Sequence, residues 1–475
     1  MKFKVSKSQL WFWMLYILLI LGCFVLPPVL EIAFEFVFIM YAVVSTRNAM
    51  IRGNTNYVTM ILLFPVFLSI VQNIYLGAAA YKLNSTELQM MLTLNVMLAF
   101  LIPLFILLLD RKIKHYAWCV ASIILIIFVS LISLVNLTPF TSYLSSLRNI
   151  LAPFMFFYFG VVLAQKVEKS KFFKISNFLI IFVISFGLIE YFIGNSLWLS
   201  LNVTKLWNLK GIKTPNLIPA NWFASEVIMG MSYLRRMVSS FADPVNLGTF
   251  LFWAFMICWY QKKKLLAVLV VICSILTISK GALLGYLIFL VVYMWYRDNS
   301  KILTMISILA VIVFAIEFMQ FGSTSSAGLH FRMFFRALKV PLSHPFGTGV
   351  GSSGVLASVV NGGIANTSVM ETGIGMVIVQ LGIIGIVTYL LLFTKLFKYG
   401  HNRLTNKKVK IIFFTLLFSI FTNAMFNEVA LSPNSCGVYF LTLGVLSSAM
   451  RKDHIHVLHR KADAILAINS NSVVE

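Results

Sequence analysis

Long apolar stretches recur along almost the whole chain, each bounded by charged residues, proline or glycine. Many run for about 18–22 residues, and a helix needs ~20 apolar residues to cross the hydrocarbon core of a bilayer. The 475 residues are 60% hydrophobic and 11% charged, whereas soluble domains carry about 25% charged residues. Because the stretches are continuously apolar rather than alternating, they exclude a β-barrel. The sequence predicts an all-α polytopic integral membrane protein, with residues 1–475 forming one membrane domain.

The apolar stretches and the residues that interrupt them predict about 14 transmembrane helices. Pro27 and Pro28 break the first long stretch into two helices. The candidate spans cover residues 9–26, 31–46, 56–76, 88–109, 117–136, 149–165, 175–194, 243–260, 265–279, 281–296, 302–320, 371–394, 410–428 and 436–450.

Lysine and arginine mark one set of alternate connections between these spans. Most of the 38 basic residues fall there, and cytoplasmic loops of membrane proteins are enriched in Lys and Arg. The bias accounts for the net charge of +23 without a nucleic-acid partner. It predicts that both termini are cytoplasmic and that residues 451–475 form a cytoplasmic tail.

Most of the remaining basic residues lie in two long segments predicted outside, residues 195–242 and 321–370. The first contains Arg235 and Arg236. The second contains a short amphipathic helix over 329–340, in which Arg332 and Arg336 are one turn apart. Clustered arginines need a counter-charge, and their planar donors suit phosphate. Anchoring to lipid headgroups is the alternative for any single arginine. Lys280, between a serine and a glycine, either contacts the same anion or snorkels.

The chain has few acidic residues, so the position of each one is informative. Asp243, before a proline, is predicted to cap a helix. Glu371 opens a predicted helix, where it either favours the helix N-terminus or acts as a base on an acceptor hydroxyl. Glu190 and Glu317 lie inside apolar spans and need partners. The histidines and cysteines have no metal-ligand spacing, and no metal or cofactor is predicted.

Four stretches together resemble one family. They are RRMVSSFADPVNLGTF (235–250), LTISKGALLGYLIFLV (276–291), FRMFFRALKVPLSHPFGTGVG (331–351) and VMETGIGMVIVQLGIIGIVTYLLL (369–392). Their order and spacing resemble the bacterial O-antigen and capsule polymerases of the Wzy type and the related O-antigen ligases. The resemblance covers roughly residues 230–400. Lys280 stands where the family usually has arginine.

The resemblance implies a GT-C-like, metal-independent membrane glycosyltransferase of the bacterial cytoplasmic (inner) membrane. It implies undecaprenyl-diphosphate-linked oligosaccharides as donor and acceptor, used at the outer face, and chain-length regulator and flippase proteins as partners. Arg235, Arg236, Lys280, Arg332 and Arg336 would then bind the diphosphate, with Glu371, Arg236 and Arg332 catalytic. Ligases carry a histidine where this chain has Glu371, which favours a polymerase. A ligase and a lipid-linked oligosaccharide flippase or transporter are the alternatives.

Overall fold

The computed structural model describes residues 7–22, 24–93, 95, 116–134, 140–166, 169–210, 212, 214–224, 234–297, 305, 326–354 and 372–448. Within these ranges the chain is nearly all helical, and the one β feature is an isolated bridge between Phe223 and Arg235. Six of the described helices are long and apolar enough to cross a membrane, and five shorter ones are also apolar. The predicted all-α class is confirmed for the described residues, and the long apolar helices are typical of an integral membrane protein. The number of 14 spans stays a prediction.

The helices are α1 Lys7–Gly22, α2 Pro28–Ile51, α3 Thr55–Ala79, α4 85–93, α5 Ala117–Leu134, α6 Phe140–Lys166, α7 Lys169–Ile193, α8 Ser196–Ser200, α9 Val203–Leu209, α10 Pro244–Tyr260, α11 Lys264–Leu276, α12 Lys280–Arg297, α13 Ser326–Ala337, α14 Val340–Ser343, α15 Gly373–Arg403, α16 Lys407–Phe426 and α17 433–448. Apart from residue 305, the predicted span 302–320, with Glu317, lies outside the described residues, as does the tail 451–475.

Local chemistry explains where several helices begin. Pro28 opens α2 directly after Pro27, as predicted. The Asn54 side chain accepts a hydrogen bond from the N–H of Tyr57 at 3.2 Å and caps α3. Asn406 caps α16 in the same way. Asparagine suits this position because its side-chain oxygen replaces a missing helical acceptor.

Two helices extend further than hydrophobicity predicts. The span predicted at 149–165 begins at Phe140 in the structure, because the polar stretch before Asn149 is packed inside the bundle rather than left in a connection. Arg148, predicted in a connection, therefore belongs to helix α6. The span predicted at 31–46 likewise continues to Ile51.

The centre of the bundle lies where α6, α10 and α17 meet. Gly160 of α6 faces Gly444 of α17 so closely that an added Cβ would lie 2.0 Å from the carbonyl oxygen of Leu441. The Trp253 indole of α10 donates to Thr442 of α17 at 2.8 Å. Such close packing of small residues, with satisfied polar side chains, is typical of helices that associate in lipid.

The helix termini gather at two ends of the bundle, which we name here. The arginine end carries the described residues of segment 195–242, the turn between α11 and α12, and residues 344–354. The lysine end carries the turns 52–54, 261–263 and 404–406. Hydrogen bonds join elements within each end, such as Asn73 to the carbonyl of Phe241 at 2.5 Å and Asn177 to Gln261 at 2.9 Å.

Candidate functional site at the arginine end

Arg235 is held by a buried carboxylate of α7. Its guanidinium forms an ion pair with Glu190 and donates to Asn195 Oδ1 at 2.7 Å and to the carbonyl of Tyr191 at 2.8 Å. The Glu190 side chain is 0% exposed. Its second oxygen accepts the N–H groups of Val238 and Ser239 at 3.3 and 3.1 Å. This is the partner that the sequence could not name, and it fastens residues 235–239 to α7.

Arg236 points to a different element. Its guanidinium donates to the carbonyl oxygens of Thr277 at 2.7 Å, Asn221 at 3.0 Å and Ile278 at 3.3 Å. Two of these carbonyls belong to the turn between α11 and α12. The two adjacent arginines therefore connect this part of the chain to α7 and to the turn between α11 and α12. Since a guanidinium has five N–H donors, two of those on Arg236 have no acceptor among the residues that the structure describes.

Asp243 caps α10, as predicted. One carboxylate oxygen accepts the N–H of Asn246 at 3.1 Å, and the other accepts the N–H of Val245 at 3.4 Å and the amide of Asn221 at 3.0 Å. Its carboxylate also lies within electrostatic range of Arg236. Burial raises the pKa of Asp243, while the N–H of Asn246 and the charge of Arg236 oppose that rise.

Two further basic residues, Lys210 and Arg148, extend this group: Lys210 interacts electrostatically with Asp243, and Arg148 interacts with Lys210. Lys210 follows α9, donates to Asn73 Oδ1 at 2.8 Å and lies 4.3 Å from the ring centroid of Trp207. The charges of Arg148 and Asp243 both act on it. We name Arg148, Lys210, Arg236 and Asp243 the cationic node. It contains three basic groups and one carboxylate.

The cationic node contains more basic groups than carboxylates, and it lies in a partly buried part of the protein. Burial and the neighbouring Arg148 lower the pKa of Lys210 to about 7, against the opposing effect of Asp243. Among the described residues, the only side-chain hydrogen bond of Arg148 is to its neighbour Asn149, at 3.3 Å. Such a cluster is strongly attractive to an anion, because charges interact more strongly where water is scarce.

Sequence reasoning missed Arg148 and Lys210 as site residues. Both belong to the small set of basic residues that the cytoplasmic charge bias leaves unexplained, which was the available signal. Arg148 was assigned to a connection, and Lys210 lies in a long segment without a recognisable motif. The approach of Lys210 to Asp243, and of Arg148 to Lys210, depends on how α6 packs against the described part of segment 195–242.

The other predicted basic residues lie towards α15 and α16. Arg332 and Arg336 are exposed on α13, which packs against these two helices. Lys280 is exposed as the first residue of α12, and the adjoining Gly281 faces Asn423 of α16. The structure thus places all of these residues at the arginine end. Glu371 lies outside the described residues, and α15 begins at Gly373 after Thr372 as N-cap.

A glycine-containing loop, residues 344–354, docks into a break in α15. Gly382 inside α15 has φ +59°, and the next residue, Ile383, donates its N–H to the carbonyl of Pro345 at 2.8 Å. Gln380 accepts the N–H of Gly351 at 3.2 Å and donates to the carbonyl of Ser353 at 2.8 Å. The loop turns tightly, and its four glycines, Gly347, Gly349, Gly351 and Gly354, all have positive φ, which glycine adopts without steric cost.

The described residues contain no group of three His, Cys, Asp or Glu side chains that could hold a metal ion. The chemistry that they do offer is the binding of anions by arginine and lysine. No protein-family model and no curated protein matches this chain in sequence comparisons.

The ion pair between Arg235 and Glu190 yields a stability prediction. Replacing either residue alone, as Arg235→Met or Glu190→Leu, leaves a buried group without its partner and should destabilise the protein by about 3–5 kcal/mol. The double variant should recover much of that loss, because neither charge remains buried. Thermal unfolding of the purified protein in detergent measures the difference. Additive losses in the double variant would contradict the coupling.

The break in α15 yields a second prediction. Gly382→Ala puts a Cβ 2.1 Å from the carbonyl oxygen of Pro345 at a left-handed backbone position, so loop 344–354 should leave its seat. We expect a protease to cleave the Gly382→Ala variant within residues 344–354 faster than it cleaves the wild type. Gel electrophoresis measures the rate of cleavage, and mass spectrometry identifies the cleavage sites. Gly53→Ala is the control, since Gly53 also has positive φ but nothing within 4 Å. Equal protection of the loop in the Gly382→Ala variant and the wild type would contradict this prediction.

Proposed function

We propose that the protein polymerises undecaprenyl-diphosphate-linked oligosaccharide repeat units into a long-chain polysaccharide, at the outer face of a bacterial cytoplasmic membrane. The observation that carries the proposal is the cationic node, an excess of basic groups beside a bundle of apolar helices. A lipid diphosphate matches both features. Its head group is a polyanion that suits the basic groups, and its apolar tail lies in the bilayer beside the apolar helices. The four sequence stretches that resemble the Wzy-type polymerases support the same substrate. We also propose that the helices have a GT-C-like arrangement.

The reaction transfers a glycan chain between two lipid carriers. The acceptor hydroxyl oxygen forms a bond to C1 of the donor sugar, and the bond from C1 to the diphosphate oxygen breaks. The electron pair of that bond leaves with undecaprenyl diphosphate, and the hydroxyl proton passes to a base, for which we propose Glu371. Positive groups aimed at the departing diphosphate stabilise the charge that develops in the transition state.

Donor and acceptor each carry a diphosphate, and the arginine end has two groups of basic side chains. We assign one diphosphate to the cationic node and the other to Arg332, Arg336 and Lys280. Arg236 belongs to the node and has two N–H donors to offer. Arg235 acts through its ion pair with Glu190, which holds Arg236 in place. Fixing two long substrates side by side supplies a large part of the rate acceleration, because it replaces a bimolecular encounter.

One observation favours a second candidate, a flippase or transporter of lipid-linked oligosaccharides. Glu31 and Glu35 of α2 are 5% and 2% exposed, and α15 is broken at Gly382. Buried carboxylates within the membrane and broken helices are features of transporters. Loss of a polymerase and loss of a transporter would leave different glycan products in the cell, and a gene deletion distinguishes them.

Deletion of the gene should leave single repeat units attached to the cell envelope. A transporter would instead leave repeat units inside the cell, and a ligase would leave long chains on the lipid carrier. When the Arg332→Ala variant is expressed in the deleted strain, it should fail to restore long chains. The double variant Arg148→Gln, Lys210→Gln should restore only much shorter chains. Each variant removes positive charge from a proposed diphosphate site. The readout is polysaccharide length on gels, with protein abundance measured in the same membranes.

Lys82→Gln is the matched control for this experiment, because Lys82 is an exposed lysine at the arginine end outside both basic groups. It should restore long chains fully. Long chains in all of the Arg332, Arg148 and Lys210 variants would contradict the site assignment.

The pKa of Lys210, about 7, predicts a pH dependence. Below that pH its ammonium is charged and attracts the diphosphate, and as the pH rises through about 7 the charge is lost. Polymerisation by purified protein should therefore fall between pH 6 and pH 8. Lys210→Arg should remove this fall, because arginine stays protonated throughout the range. A fall of the same size in the Lys210→Arg variant would exclude Lys210 as its origin.

A further inference from the structure

A cavity of about 410 Å³ opens at the lysine end, far along the helices from the cationic node. It lies between the start of α5, the second half of α6 and the last turns of α15. Three aromatic side chains line one part of it, namely Tyr116, Trp118 and Phe157. The Phe157 ring centroid lies 5.8 Å from that of Tyr116 and 5.8 Å from that of Trp118, so the three rings form one continuous wall.

Three basic side chains of α15 line the other part, namely Lys395, Lys398 and Arg403. All three are exposed. None of them makes an ion pair or a side-chain hydrogen bond with another described residue. Residues 372–427 contain no aspartate or glutamate, so neither α15 nor α16 supplies a counter-charge. We name the cavity with these six side chains the basic groove.

Exposed apolar side chains continue along the two helices that flank the basic groove. Ile124 and Phe128 of α5 are 61% and 64% exposed, and Val387 and Leu390 of α15 are 54% and 57% exposed. A molecule that fills the groove and extends along these helices must therefore have an anionic head and a long apolar part.

A simpler explanation covers the cations alone. Basic residues near a helix C-terminus complement its dipole, and cytoplasmic loops are basic in general. Neither effect requires a cavity or a wall of aromatic rings. Tyrosine and tryptophan concentrate at the level of lipid headgroups, and basic pockets between helices on the cytoplasmic side bind anionic headgroups. The groove differs from an ordinary basic loop because it combines a cavity, a wall of aromatic rings and cations that have no ion-pair partner among the described residues.

We propose that the basic groove binds one anionic phospholipid of the leaflet that faces the lysine end. Lys395, Lys398 and Arg403 contact its phosphate, and the aromatic wall packs against the glycerol region. The acyl chains lie along α5 and α15. This site is separate from the proposed polymerase site and does not depend on that function.

Native mass spectrometry of the full-length protein in detergent tests this proposal, with phosphatidylglycerol and phosphatidylcholine added at equal concentration. The wild type should bind at least about tenfold more phosphatidylglycerol than phosphatidylcholine. The groove variant Lys395→Gln, Lys398→Gln, Arg403→Gln should lose at least about tenfold of that binding. The variant Lys395→Arg, Lys398→Arg should keep it, because the charges remain. Inorganic phosphate should not displace the lipid, since it lacks the apolar part.

The control variant is Lys407→Gln, Lys408→Gln, Lys410→Gln. It removes the same charge from the same end of the bundle, but none of these lysines lines the groove. It should bind phosphatidylglycerol like the wild type. An equal loss in the control would show that binding follows surface charge alone and would overturn the proposal. Unchanged binding in the groove variant, or displacement by inorganic phosphate, would also overturn it. The melting temperature of each variant checks that it is folded.

Discussion

A carboxylate with no exposed surface, Glu190, organises the arginine end of the bundle. An isolated charge in such a place is very costly, so the carboxylate requires both a cation and hydrogen-bond donors. Arg235 and the N–H groups of Val238 and Ser239 supply them. The chain between these residues is therefore held against α7, and Arg236 is directed away to the turn between α11 and α12.

The position of Arg236 in turn decides the electrostatics nearby. Asp243 uses its oxygens to cap α10 and to accept a hydrogen bond from Asn221, so it offers limited compensation to the three basic groups of the cationic node. The resulting excess of positive charge is a cost to the empty protein and a source of affinity for an anion. A diphosphate that enters the node would remove that cost, which links the packing of the segment to the function that we propose.

The two ends of the molecule use basic residues differently. In the cationic node of the arginine end the three basic side chains are half-buried among helices and share one carboxylate, whereas Arg332, Arg336 and Lys280 are exposed. At the lysine end the basic residues are exposed beside aromatic rings, an arrangement suited to a lipid headgroup. The broken helix α15 spans both ends, since its break at Gly382 seats loop 344–354 and its last turns line the basic groove. A lipid bound at one end therefore contacts the same helix that positions a loop at the other.

The class of fold and most helix positions follow from the sequence alone, because the cost of exposing polar backbone to lipid leaves few structures for long apolar stretches. The breaks at Pro27 and Asp243 were also predictable, since proline and capping residues act locally. The sequence further indicated that Arg235, Arg236, Arg332 and Arg336 needed an explanation beyond cytoplasmic charge bias. Only the tertiary structure decided that Arg235 pairs with Glu190, that Lys210 approaches Asp243 and that Arg148 approaches Lys210. Those partners are far apart in the chain, and their distances depend on how helices pack, which hydrophobic periodicity does not encode.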